Sequence, residues 1–150
     1  MKYEYANGAN QDFVYLCQEL DKSLDEIVAG KFDRSQYSPF NQLNDIHDVI
    51  IAYDGDKPIG CASYKRYDLV IAEIKRVFIK PEFRGQGISK IMLRKLEERA
   101  KNQGYKEFIL ETGELLETSM KLYKSLGYVI TSNYEPYIGM EDSICMKKYL

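Results

Sequence analysis

The stretch RGQGIS sets Arg84, Gly85, Gln86, Gly87, Ile88 and Ser89 between an apolar run ending in VFIKPEF and a helix-like run beginning KIMLRKLEERA. These residue types at this spacing suit an anion. The strand pattern stops at Pro81 and the helix pattern starts near Gly87, so the amides of Gln86, Gly87, Ile88 and Ser89 are expected as helix-start donors with no intrahelical acceptor. The helix dipole favours negative charge there, and Gly85 and Gly87 let a phosphate approach without a Cβ in its way. Arg84 adds a planar charged donor and Ser89 a hydroxyl. The spacing is not the GxxxxGK[ST] of a P-loop, and Lys90 stands where a dinucleotide fingerprint needs its third glycine. A glycine-rich strand-to-helix turn with no ligand is the plain alternative.

Charge points to the same place. Residues 75 to 106 carry ten Lys or Arg against three Glu, whereas the rest of the chain carries eleven basic against twenty acidic residues. A basic segment in a chain of net charge -2 fits a small polyanion gathered at one site, or else a solvated basic helix face. The acidic remainder speaks against nucleic acid as a partner.

The elements around the turn read as a mixed sheet with helices. Phe13, Leu16, Cys17, Leu20, Leu24 and Ile27 have helical spacing closed by Gly30. DVIIAY, DGDKP and IGCASYKRY read as strand, turn and strand. In the next strand Val70, Ala72 and Ile74 alternate, and Val77 and Ile79 continue the alternation only after a slip of one residue, which predicts a β-bulge near Lys75 and Arg76. Ile88, Ile91, Met92, Leu96 and Ala100 form a helical stripe. GYKEFILET reads as a strand, ELLETSMKLYKSLGY as a helix ending at Gly127, and YVITSNY and SICMKKYL as two further strands. The fold class expected is α/β of the mixed α+β kind.

The 150 residues read as one domain, 1–150, and the 45% hydrophobic and 29% charged composition excludes a disordered chain. No apolar run approaches the ~20 residues of a membrane span, and MKYEYANGANQDF has no signal-peptide pattern, so a cytoplasmic protein off the membrane is expected. Cys17, Cys61 and Cys145 have neither disulfide nor zinc spacing and read as reduced thiols. The sole histidine, His47, has no nucleophile motif beside it, and no metal constellation is visible.

On RGQGIS, LETG at 110 to 113 and LYKSLGY at 122 to 128, in that order, the chain resembles the GNAT superfamily of acetyl-CoA-dependent N-acetyltransferases over about residues 47 to 150. Ser89 stands where the family's motif has Gly or Ala. The resemblance implies a mostly antiparallel sheet with a splayed parallel strand pair, and acetyl-CoA as donor substrate with no metal. It places the coenzyme's diphosphate on the amides of Arg84 to Ser89, with Lys90 beside them, and its pantetheine arm along Val77, Phe78 and Ile79. The Val77 or Phe78 amide would then donate to the thioester carbonyl.

By the same resemblance Glu73 is the general base and Tyr123 the donor to the departing sulfur. The plainer roles are a salt bridge from Glu73 to Lys75 or Arg66 and a packing role for Tyr123. Glu111 is the second candidate base. Leu116 stands where the family often has a cofactor-contacting Asn, so that contact is absent or replaced.

The acceptor implied is an amine, gripped by residues 24 to 44 and 131 to 142. Those stretches hold Phe32, Tyr37, Phe40, Tyr134 and Tyr137 with Asp25, Glu26, Asp33, Glu135, Glu141 and Asp142, which suits a small cationic amine; protein N-termini, lysines and antibiotics stay open. A non-catalytic acetyl-CoA-binding or sensing module of the same fold is the rival reading, and the family often forms homodimers.

Overall fold

The computed structural model describes residues 1–28, 42–113 and 116–150. Its elements run β1 (Lys2–Ala6), α1 (Gln11–Val28), β2 (Asp48–Asp54), β3 (Lys57–Arg66), β4 (Ile71–Ile79), a 3-10 turn (Pro81–Phe83), α2 (Ile88–Asn102), β5 (Glu107–Gly113), α3 (Glu117–Ser125), β6 (Val129–Thr131) and β7 (Ser143–Tyr149). The strands form one sheet in the order β1-β2-β3-β4-β5-β7-β6, with β4 and β5 parallel. Two compact units are distinguished, Met1–Lys65 with Lys75–Leu96 and Arg66–Ile74 with Glu97–Leu150.

In the first unit, α1 starts where Asn10 caps it, its Oδ1 accepting from the amides of Asp12 at 2.9 Å and Phe13 at 3.1 Å. The helical spacing then puts Phe13, Leu16 and Cys17 on one stripe. They pack with Val49, Ile51 and Tyr53 of β2, Cys61 of β3 and Phe78 of β4 in a buried cluster. Ile50 and Ala52 are buried as well, so β2 is covered on both faces. The hairpin turn is tighter than DGDKP suggested: β2 ends at Asp54, β3 begins at Lys57, and Gly55 takes a φ of 61°.

The second unit centres on β5. Its parallel register with β4 pairs Ile71 with Glu107, Ala72 with Phe108 and Glu73 with Ile109. On its other side, β5 runs antiparallel to β7 from Glu107–Tyr149 to Gly113–Ser143. Gly127, at a φ of 96°, ends α3 as its pattern implied, and Asn133 then gathers the loop before β7 by donating from Nδ2 to the carbonyls of Tyr137, Met140 and Ser143.

Several expectations change. β1 was not expected; it pairs antiparallel with β2, Tyr3 opposite Ala52 and Tyr5 opposite Ile50. Val70 precedes β4 and is exposed, and on β4 Glu73 and Lys75 are buried along with Ala72 and Ile74, because both faces of this strand are covered. On α2, Ile91 is 41% exposed and the buried stripe contains Leu93 instead. Only Val129–Thr131 of YVITSNY are strand. Gly30 lies outside the described residues.

Candidate functional site

The bulge predicted near Lys75 and Arg76 is a left-handed residue. Arg76 has a φ of 59°, the only positive value at a non-glycine among the described residues. Such a conformation costs of order 1–3 kcal/mol and persists only where neighbours impose it. Here Ser63 Oγ donates to the Lys75 carbonyl at 2.6 Å, Cys61 Sγ to the Arg76 carbonyl at 3.3 Å, and the Arg76 guanidinium meets Asp21 of α1 at 2.7 Å. Beyond the bulge come Val77, half-buried, and Phe78 and Ile79, buried.

The turn that follows is exposed. The Arg84 amide, expected to face a ligand, instead donates to the Pro81 carbonyl at 3.2 Å. Arg84 Nε donates to the Ile79 carbonyl at 2.9 Å and its guanidinium lies 5.8 Å from the centre of the Phe78 ring, so the side chain is held against the end of β4. Gly85 and Gly87 take φ values of 81° and 78°, and a Cβ at either would meet nothing within 4 Å. Backbone conformation, not crowding by the protein, requires glycine there.

The helix proper begins at Ile88, one residue later than its pattern implied. Its first amide with a carbonyl acceptor is that of Ile91, bonded to Gly87 at 3.1 Å. Among the described residues the amides of Gly85, Gln86, Gly87, Ile88, Ser89 and Lys90 have no acceptor. No acidic residue stands in the first turn of α2. The turn therefore presents a run of donors and positive charge to solvent, which is chemistry for a phosphate.

The second unit holds the carboxylates and phenols. Glu73 is 3% exposed, and an ionised carboxylate so buried needs donors. Tyr134 supplies one, its hydroxyl donating to Oε2 at 2.6 Å. The Tyr134 ring stands edge-on to Tyr67, with centres 5.3 Å apart, and to Tyr137 at 5.5 Å, while the Tyr67 hydroxyl donates to the Glu135 carbonyl at 3.1 Å. Burial first, and then the Glu73 carboxylate, push the Tyr134 phenol well up from 10.0.

Glu73 and Ile109 are register partners, Glu111 is two residues beyond Ile109, and Cys145 is opposite Glu111. With the two-residue repeat of strands, Glu73, Glu111 and Cys145 share one face of the sheet. Ser143 Oγ donates to Glu111 at 2.8 Å. Tyr123, 7% exposed, lies in a ring contact of 5.9 Å with Tyr128. Burial and, second, the charge of Glu111 push its phenol up from 10.0. Its hydroxyl has no hydrogen-bond partner among the described residues.

The two candidate carboxylates thus share a face, and Tyr123 lies within electrostatic reach of the second. What the sequence did not disclose is that Tyr134 serves Glu73, since no spacing signal links residues 61 apart. Ser63 and Cys61 were likewise missed; their only signal is polar atoms among the small and apolar residues Ile59, Gly60 and Ala62. His47 is exposed, and no cluster of three or more potential metal ligands occurs among the described residues. No described helix is long and apolar enough to cross a membrane. Phe32, Asp33, Tyr37 and Phe40 lie outside the described residues.

Comparison with known proteins identifies the family. An IAA acetyltransferase of Azospirillum brasilense is 27% identical over 138 residues, covering 91% of this chain and 90% of the relative. An uncharacterized N-acetyltransferase of Dictyostelium discoideum is 40% identical over 67 residues, and that match takes in 45% of this chain but 30% of the relative's length. Among solved structures, the PaiA N-acetyltransferase of Thermoplasma acidophilum, in complex with coenzyme A, shares the fold with a TM-score of 0.76 at 22% identity over 100% of both chains. A sequence profile of the acetyltransferase (GNAT) family matches residues 14–128, a span that runs from α1 past the turn after β4 to the tyrosines closing α3, and the chain belongs to that family.

Proposed function

We propose that the chain is an acetyl-CoA-dependent N-acetyltransferase that acetylates a primary amine of a small molecule or peptide by direct attack in a ternary complex. The observation that carries this is the exposed turn after β4, where six consecutive amides, from Gly85 to Lys90, have no acceptor among the described residues. Open space where Gly85 and Gly87 lack Cβ atoms fits the close approach of a diphosphate. The coenzyme A bound to the Thermoplasma relative of the same fold supports the same reading.

In this proposal the amides of Gly85 to Ser89, with the Arg84 guanidinium and Lys90, hold the diphosphate, and the backbone of Val77, Phe78 and Ile79 receives the pantetheine arm. Acetyl-CoA supplies an acetyl group activated as a thioester. The acceptor nitrogen must be neutral to bond to the acetyl carbon, and Glu73 takes the proton it sheds. As the carbon–sulfur bond breaks, Tyr123 gives its hydroxyl proton to sulfur, and solvent restores both side chains. A phenol pushed up from 10.0 stays protonated throughout the neutral range, so the donor is always loaded, although it is a weaker acid than an ordinary tyrosine. The Val77 amide steadies the charge that develops on the acetyl oxygen.

The test is thermal unfolding with added acetyl-CoA, followed by mass spectrometry of an amine and peptide panel incubated with it. A ligand at ~100 times its dissociation constant stabilises by about 2.7 kcal/mol, and an acetyl mass gain should appear on at least one amine. No thermal shift at millimolar acetyl-CoA would end this reading.

A further inference from the structure

We propose that Ser63 and Cys61 of β3 are positioning residues that fix the direction of β4 at Arg76 and so aim the Val77 amide at the acetyl group. The inference rests on the acetyltransferase reading above and adds two residues that never touch the donor.

In a regular strand successive carbonyls point to opposite edges. At the bulge they do not: the carbonyls of Lys75 and Arg76, one residue apart, are both taken by donors on β3. Those donors, Ser63 and Cys61, are two residues apart, fully buried, and hence on one face of their strand. That face is the one packed on α1, because Cys61 sits in the cluster with Phe13, Leu16 and Cys17. From α1 comes the third tether, Asp21 to the Arg76 guanidinium at 2.7 Å.

A trans peptide is planar, with its carbonyl and its amide pointing in opposite directions. The carbonyl of Arg76 and the amide of Val77 belong to one such plane. With the carbonyl turned to the Cys61 thiol, the Val77 N–H is turned away from β3 and from α1. A main-chain ladder does not serve two successive carbonyls on the same side, and here a buried hydroxyl and a buried thiol reach both of them. Removing them takes away the hydroxyl and thiol donors to these two carbonyls, and the plane loses the side-chain bonds that hold its tilt.

The turn at Gly85 to Lys90 is a separate segment, so phosphate binding should survive. Ser63→Ala and Cys61→Ala are therefore expected to lower kcat by roughly ten- to a hundredfold, the loss expected for a misaligned reacting group. The dissociation constant for coenzyme A should move by less than about threefold, since the phosphate donors keep their places. Ser63→Thr, which keeps the hydroxyl, should recover most of the rate. A merely structural role would lower the melting temperature and the yield of folded protein but not split kcat from binding in the folded fraction.

The measurement is kcat on an acceptor of the wild type, with coenzyme A binding by calorimetry, both well below each variant's melting temperature. Either alanine variant can stand for the pair if the other does not fold. A folded alanine variant within about twofold of wild-type kcat, where misalignment is expected to cost far more, overturns the inference. So does a loss of kcat and binding in parallel, or a Ser63→Thr no better than Ser63→Ala. A wild type that binds no acetyl-CoA and acetylates no amine overturns the acetyltransferase reading and this inference together.

Discussion

The hydroxyl of Tyr134 donates to Oε2 of Glu73 across 2.6 Å, joining the loop before β7 to the last register-paired residue of β4. The bond gives a carboxylate 3% exposed on a central strand a donor it needs. Tyr134→Phe deletes the donor and leaves a buried oxygen short of one partner. It should destabilise the fold by about 1–3 kcal/mol, read by urea denaturation; a change below the noise of that measurement would mean the bond contributes nothing net.

Glu73→Gln preserves shape and loses the proton acceptor. If Glu73 is the base, kcat should fall by roughly 10²–10⁴, while the thermal shift caused by acetyl-CoA persists. Rate and shift should be measured on the same preparation, and a Gln variant of normal rate transfers the role to Glu111.

Gly87→Ala should weaken acetyl-CoA binding although a methyl group meets nothing in the protein. The φ of 78° is unfavourable with a Cβ, so the turn relaxes or pays roughly 1–2 kcal/mol. Calorimetry with coenzyme A, beside a melting curve without it, separates lost affinity from lost stability. Unaltered affinity in a folded variant would remove this turn from the binding site.

The phenols set an alkaline limit. Burial pushes Tyr123 and Tyr134 up from 10.0, so folding takes up the proton that the unfolded chain would release near that value. The stability linked to these groups is therefore whole below pH 10 and is lost as the pH climbs above it toward the folded values. Melting temperature followed against pH should turn down only beyond that point. In Tyr123→Phe the rate should fall with no change in the shape of the pH–rate profile through the neutral range, because the group does not titrate there.

Much of this was readable in RGQGIS itself, since two glycines followed by a helix pattern specify backbone donors by local rules alone. The helix pattern of α2 mistook Ile91 for a buried residue because periodicity counts apolar types without knowing how wide the covered arc is. Lys2–Ala6 alternates charged and aromatic residues like a strand, yet what makes it one is pairing with β2, a partner more than forty residues away in sequence. Glu73 was singled out by the family resemblance, on the strand before the turn. Tyr134 was named for its ring, and its hydroxyl found its role only through the loop that Asn133 gathers. Side chains acting across strands, such as Ser63 on Lys75, depend on register, and register is not written in any one segment.

All three cysteines are free and buried. Burial pushes the thiols of Cys61 and Cys145 up from 9.0, so neither offers much thiolate at neutral pH. If the proposed acetyl transfer runs, a colorimetric disulfide reagent added to it would consequently be consumed by the coenzyme A it liberates far faster than by folded protein. The protein's own buried sulfur would give such a continuous readout a quiet baseline, and a rising one would be an early optical sign that the chain is opening.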